Sequence, residues 1–211
     1  AGVTTLAENP LVMVAASAKG FQSVRDLVAA GKARPGSITF ASAGNGTSTH
    51  ISAEKFRMAA AINAVHVPMK GSPESLTETI AGRTQYTWTP LSTAVGQIKQ
   101  GSLIALAVST GQRSAAFPDI PTIAEAGLPG YEAGSWFGIL APASTPREVV
   151  GRLHGVLVKA LEQADTRARL ATLGAITTSS TPEEFVAFLK KDAERWQRVI
   201  TEIGRASCRE R

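Results

Sequence analysis

Residues 38–56 read ITFASAGNGTSTHISAEKF. Ile38–Ser42 is a short, largely apolar run that ends at a Gly-Asn-Gly turn, the pattern of a buried strand. Ser48–Ala60 reads as a helix. Strand, glycine turn and helix in succession define an α/β unit. They also define a chemistry. The first turn of a helix leaves backbone N–H groups unpaired and carries a partial positive charge. Glycines let that backbone come close to a ligand, so the combination is an anion site. Ser42, Thr47 and Ser48 can add hydroxyl donors. A purely structural turn, capped by Thr47 or Ser48, accounts for the same residues equally well.

Strand-like runs alternate with helical patterns on both sides of this stretch. Strands are expected at Leu11–Ala16, Ala64–Val67, Gln85–Trp88, Ile104–Val108 and Phe137–Ala141. Helices are expected at Ser23–Ala30, where Ser23 and Asp26 have capping-box spacing, and at Ser72–Ile80, with Ser72 as N-cap and Pro73 first. Further helices are expected at Ser92–Gln100 and, briefly, Pro121–Gly127. Thr145-Pro146-Arg147-Glu148 and Thr181-Pro182-Glu183-Glu184 open two more, each with Thr as cap and Glu three residues on. In the last helix Phe185, Phe188, Leu189, Trp196, Val199 and Ile200 make one apolar face. The alternation implies a mostly parallel sheet. The Pro/Gly-rich corner Gly127–Tyr131 is a plausible junction between lobes.

Composition narrows the classes. The chain has 211 residues, 44% hydrophobic and 18% charged, with a formal net charge of +5. Arg205, Arg209 and Arg211 against Glu210 contribute +2 of that, leaving +3 for residues 1–204. The remaining basic residues are scattered among acids, so no nucleic-acid surface is read. The longest apolar runs, Leu11–Ala16 and Leu103–Val108, fall far short of the ~20 residues a membrane helix needs. The first residues show no basic segment followed by a long apolar one. The lone cysteine, Cys208, rules out a disulfide within the chain, and a cysteine-free body fits an oxidising compartment.

Nucleotide and catalytic motifs fail. Gly44-x-Gly46 meets Thr49 where the dinucleotide fingerprint wants glycine. No Gly-Lys-Ser/Thr follows. His50, His66 and His154 lack metal-ligand spacing. His50 can face the turn, His66 reads as a buried strand histidine and His154 as a surface one. No nucleophile–base–orienter set can be assembled, so binding without chemistry is expected.

Three phrases, PGSITFASAGNGTSTHISAEKF (35–56), the run from HVPMKGSPESL to AEAGLPGYE (66–132) and GILAPASTPREVVGRLHGVLVKAL (138–161), occur in order. Together they resemble the solute-binding receptors of tripartite tricarboxylate transporters, the Bug family of periplasmic proteins, over about residues 3–203. The resemblance implies an α/β, two-lobed periplasmic-binding-protein fold of type II and a monomeric receptor without enzymatic activity or cofactor. Such a receptor closes on a small carboxylate and delivers it to membrane components of the transporter. The loop matching Ser42–Ser48 is one of the family's two carboxylate-holding elements. The other, a Pro-Phe-x-x-Gly-Gly-x-x-Asp loop, has no counterpart here.

That departure implies a truncated first lobe. Residues 12–133 would be a nearly complete second lobe and 134–203 the return segment of the first, its apolar face lacking part of its partner. Residues 204–211, ending GRASCRER, resemble translated sequencing-adapter read-through and are read as non-native. By resemblance Gly44, Asn45, Gly46, Thr47 and Ser48 bind the anion, with Ser42 supporting. Trp88, Thr89 and Pro90 match a variable segment facing the ligand's distal end, although for Trp88 a place in the core is the commoner role of an aromatic. Many relatives have Asp where Thr89 stands, so an amine-bearing ligand is disfavoured. Lys70 reads first as a solvated surface lysine that can add positive potential, and Trp136 is a hinge or cleft candidate. Two other classes fit less well: a ligand-sensing domain of a transcription regulator, which an upstream helix-turn-helix would reveal, and a small α/β enzyme.

Overall fold

In a computed structural model the described residues are 1–114, 116–172 and 174–209, with only the backbone described for residues 198, 202–203 and 205–209. The reading of 204–211 as a foreign tail falls partly on Glu210 and Arg211, outside the described residues. The chain divides into a central unit, Pro10–Ser135, and a terminal unit formed by Ala1–Asn9 with the chain from Trp136 onward.

The central unit is a five-stranded sheet in the order β4-β3-β5-β2-β6. Its strands are β2 (Leu11–Ala16), β3 (Ile38–Ser42), β4 (Ala64–Pro68), β5 (Tyr86–Pro90) and β6 (Leu103–Val108). Its helices are α1 (Val24–Ala33), α2 (Ser48–Ala60), α3 (Ser72–Ile80) and α4 (Leu91–Lys99). β3 runs parallel to β4 and to β5, as the helical crossovers between them require. β2 runs antiparallel to both β5 and β6. The sheet is therefore mixed: β3, β4, β5 and β6 share one direction, as a mostly parallel sheet predicts, and β2 alone runs against them. Alternation of strands and helices does not reveal the direction of a strand that enters at the chain's start.

Both faces of this sheet are covered. Val12, Val14, Leu76, Leu91, Leu103 and Val108 pack into one cluster on the α3/α4 side. On the other side Phe56 of α2 meets Tyr86, Trp88 and Tyr131 edge-on, and Trp88 stacks on Tyr131 at 6.0 Å between centroids. Trp88, Tyr86, Phe40 and Phe56 are fully buried.

Local chemistry sets the helix starts, with small shifts from expectation. Ser23 caps α1 by accepting from Asp26 N–H, while the Asp26 carboxylate accepts from Gln22 N–H. Gly71, not Ser72, caps α3, because the chain there needs φ of +143°. Pro146 rather than Thr145 caps α5 (Arg147–Glu162). Residues 121–127 form hydrogen-bonded turns instead of a helix. Their backbone is drawn to β6, where Val108 N–H donates to Pro121 O and Ile123 N–H donates to Val108 O. Thr122 and Glu125 still cap each other reciprocally.

The terminal unit holds a three-stranded sheet, β7-β1-β8, from β1 (Gly2–Asn9), β7 (Ser135–Leu140) and β8 (Ile176–Thr177). Sequence patterning had placed no strand at β1 or β8. α5 and α7 (Pro182–Arg209) flank β1, and α6 (Ala164–Thr172) follows α5. The Thr181–Glu184 pair forms the expected capping box. The apolar face of α7 is only partly covered: Phe185 is fully buried, whereas Phe188 and Ile200 stand exposed. Phe137, Leu140 and Val156 are also exposed, at 53%, 59% and 68%.

Phe185 fixes one contact tightly. A Cβ at Gly138 would overlap the end of its ring and approach both flanking ring carbons at 3.1 Å. Gly138→Ala is therefore expected to destabilise the protein by about 1–3 kcal/mol. A denaturant titration would show a lower midpoint at unchanged slope. An unmoved midpoint would mean that the ring yields freely.

Candidate functional site

Parallel pairing sends the C-terminal ends of β3, β4 and β5 to one edge of the central sheet. That edge is where open α/β sheets place their ligands. The Gly-Asn-Gly turn leaves β3 there, and Gly44 and Gly46 hold φ of +125° and +75°. A Cβ at Gly44 would stand 3.1 Å from Met69 O, so only glycine fits both the dihedral and the space.

Much of the turn is held internally. Ala43 N–H donates to Thr49 Oγ1 at 2.9 Å, Gly44 N–H to Ser42 Oγ at 3.1 Å and Gly46 N–H to His50 Nδ1 at 3.1 Å. Thr47 N–H donates to Gly44 O, and Thr47 Oγ1 caps α2 by accepting from His50 N–H. The backbone N–H groups of Asn45, Ser48 and Thr49 have no hydrogen-bond partner among the described residues. Asn45, Gly46 and Ser48 are exposed. Three free N–H groups at a helix N-terminus are what an anion requires.

The structure brings the turn next to His66, a neighbour that spacing alone does not show. Phe40 of β3 lies opposite His66 of β4, and the two rings stack at 4.9 Å. His66 Nε2 lies 2.7 Å from Ser42 Oγ. His50 stacks on the other face of His66 at 4.1 Å. A Ser–His pair thus exists where no nucleophile–base pair was expected. Ser42 is fully buried and accepts the Gly44 N–H, which suits a structural bond. Nothing in the residues of β3 and β4 shows this pairing without the strand register.

The other candidate residues differ in burial and bonding. Trp88 and Thr89 are fully buried, and Pro90 is partly exposed. Trp88 Nε1 and Thr89 Oγ1 have no hydrogen-bond partner among the described residues. The hydroxyls of Ser42 and Thr47 are engaged within the turn, the latter donating to Gly44 O at 2.7 Å. Lys70 is exposed, and its N–H donates to Glu74. Trp136 packs in the terminal unit, its indole donating to Asp192 at 2.9 Å. His154 is half-buried against Ser180 O. Among the described residues no group of three His, Cys, Asp or Glu could hold a metal ion, and no helix is long and apolar enough to cross a membrane.

Comparison with known proteins defines the class first. The structure of R. palustris Rpa4515 with adipate matches at a TM-score of 0.88 and 30% identity, covering 95% of this chain and 67% of that one. MatC (Rpa3494) from Rhodopseudomonas palustris, with bound malate, matches at 0.83 and 27%, covering 94% and 69%. The fold is that of the two-lobed α/β periplasmic binding proteins. Residues 1–205 match the family described as tripartite tricarboxylate transporter family receptor, and the chain belongs to that family. A relative from Pseudomonas sp. (strain P51), the UPF0065 protein in the tcbD-tcbE intergenic region, is 36% identical over 201 residues, 95% of this chain and 60% of the relative. The chain spans 60–62% of the length of the first such relatives.

Burial and the His50 ring push the His66 imidazole down from 6.5 to about 4. His50 is lowered too, mainly by burial and against the pull of Glu54. An unfolded chain protonates these rings near 6.5, so between that pH and about 4 it binds more protons than the folded state. Stability should therefore fall as pH drops through this window. Thermal melts from pH 7 to 4.5 should show a steeper fall for the native chain than for His66→Asn. Parallel curves would remove the histidine from the account.

Proposed function

We propose that this chain is part of a monomeric extracytoplasmic receptor that captures a small carboxylate for the membrane components of a tripartite tricarboxylate transporter. The observation that carries this is the set of free N–H groups of Asn45, Ser48 and Thr49 at the start of α2. A carboxylate of two oxygens accepts two or three such bonds and gains from the helix dipole. Lys70, exposed on the adjacent β4–α3 loop, adds positive potential. Thr89 Oγ1, buried and unpaired at the end of β5, is a further polar contact from the Trp88-Thr89-Pro90 segment. Family membership and the adipate and malate bound by structural relatives support the ligand class.

In this reading residues 12–133 are the receptor's second lobe, and residues 134–203 return to the first. The receptor is a binder and not a catalyst, since the Ser42 hydroxyl is enclosed and braces the turn. Calorimetry with malate and adipate tests the proposal. Gly46→Pro forces φ near −65° where the chain holds +75°, and removes the N–H that anchors the turn. It should weaken binding by about tenfold or more, the equivalent of ~1.4 kcal/mol. Unchanged affinity would remove the turn from the site.

A further inference from the structure

We propose that the stacked pair His50–His66 is a proton-sensitive latch on the Gly-Asn-Gly turn. Neutral His50 holds Gly46, His66 holds Ser42, and protonation of His50 releases the anion loop. The proposal rests on the carboxylate-loop reading above and adds a regulation to that same site.

The geometry is asymmetric, and the asymmetry decides which ring is the switch. His50 Nδ1 accepts from Gly46 N–H at 3.1 Å. The neutral ring therefore carries its proton on Nε2, which lies 3.9 Å from Glu54 Oε1. A second proton must go to Nδ1. It turns the acceptor into a donor that faces another donor, and the bond to Gly46 is lost. His66 behaves differently. Its partner is a hydroxyl, which can accept or donate, and Ser42 Oγ also has Gly44 O within 3.3 Å as an alternative acceptor. Protonated His66 keeps Ser42 by letting that hydroxyl turn. One ring is a proton-broken bond and the other is a fixed support.

The groups facing His50 set the threshold. On its own helix Glu54 favours the charged ring, but Arg57 holds Glu54 at 2.9 Å and opposes it. From β4 the His66 ring lies face to face at 4.1 Å, so charging both rings together is disfavoured. Burial opposes the charge as well, which places the release below the ordinary imidazole range.

The sign of the effect separates a latch from simple electrostatics. A bare positive charge beside an anion site would strengthen carboxylate binding as pH falls. Release of Gly46 frees the turn that aims the Asn45, Ser48 and Thr49 N–H groups, and binding weakens. His50→Asn supplies the discriminating variant, because Asn Oδ1 can accept the Gly46 N–H at the position of Nδ1 and does not titrate.

Two measurements on the 211-residue chain test this. In ¹⁵N-labelled protein the Gly46 amide resonance should move with a single midpoint below pH 6.5, matching the His50 ring, and should stay near its high-pH position in His50→Asn. A Gly46 amide that ignores the His50 titration, or moves equally in the variant, overturns the latch without reference to any ligand. In malate titrations at pH 7 and pH 5, ligand ionisation is common to both proteins. The native chain should lose about fivefold more affinity than His50→Asn, the worth of one hydrogen bond. Equal losses, or tighter native binding at pH 5, overturn the coupling to the ligand. Failure of both proteins to bind malate at pH 7 shows that this chain alone does not hold malate and overturns the coupling for it, while the amide titration still decides the latch.

Discussion

Backbone donors must go somewhere, and at the passage from β3 to α2 that constraint organises the central unit. A chain that stops being a strand and starts a helix within a few residues has more N–H groups than ladder or helix partners. Here Ala43, Gly44, Gly46, Thr47 and His50 each find an acceptor among Thr49, Ser42, His50, Gly44 and Thr47. The donors left over are those of Asn45, Ser48 and Thr49. Because the remainder are held, the turn is ordered without a ligand: a loop with all its donors loose would have to be ordered by its ligand, at a cost in affinity.

That holding reaches back into the core through rings. Tyr86, Phe40, His66 and His50 form a continuous column, with successive centroids 5.4, 4.9 and 4.1 Å apart. Its inner end is fully buried and its outer end touches the turn through Gly46. A polar group at the end of an apolar stack is poorly solvated, so its protonation state is tied to the turn's hydrogen bonds. The same aromatic body that stabilises the sheet thereby sets the electrostatic state of the loop.

The terminal unit answers a different constraint. Its sheet is three strands wide, and Thr4 and Ser180 exchange hydrogen bonds that fasten β1 to the entry of α7. Phe185 sits over Gly138 and beneath Trp136, which is tied to Asp192. Other large apolar side chains, among them Leu140 and Val156, remain in contact with solvent.

Much of this was legible in the residues. Leu11–Ala16, Ile38–Ser42, Ser48–Ala60 and Ser72–Ile80 are bounded by local signals, apolar runs, glycines and caps, and the structure keeps those bounds. The Thr181–Glu184 capping box is equally local. The Gly-Asn-Gly turn and the start of α2 were legible because dihedral freedom and helix-end capping are properties of a few consecutive residues. Strand direction, the strands β1 and β8, and the deep burial of Thr89 were not legible, since each depends on a partner far along the chain. The pairing of Ser42 with His66 and the stacking of His50 on it belong to this second kind. His50 borders the turn by its place in the chain, but His66 does not, and only the parallel register of β3 and β4 brings it there.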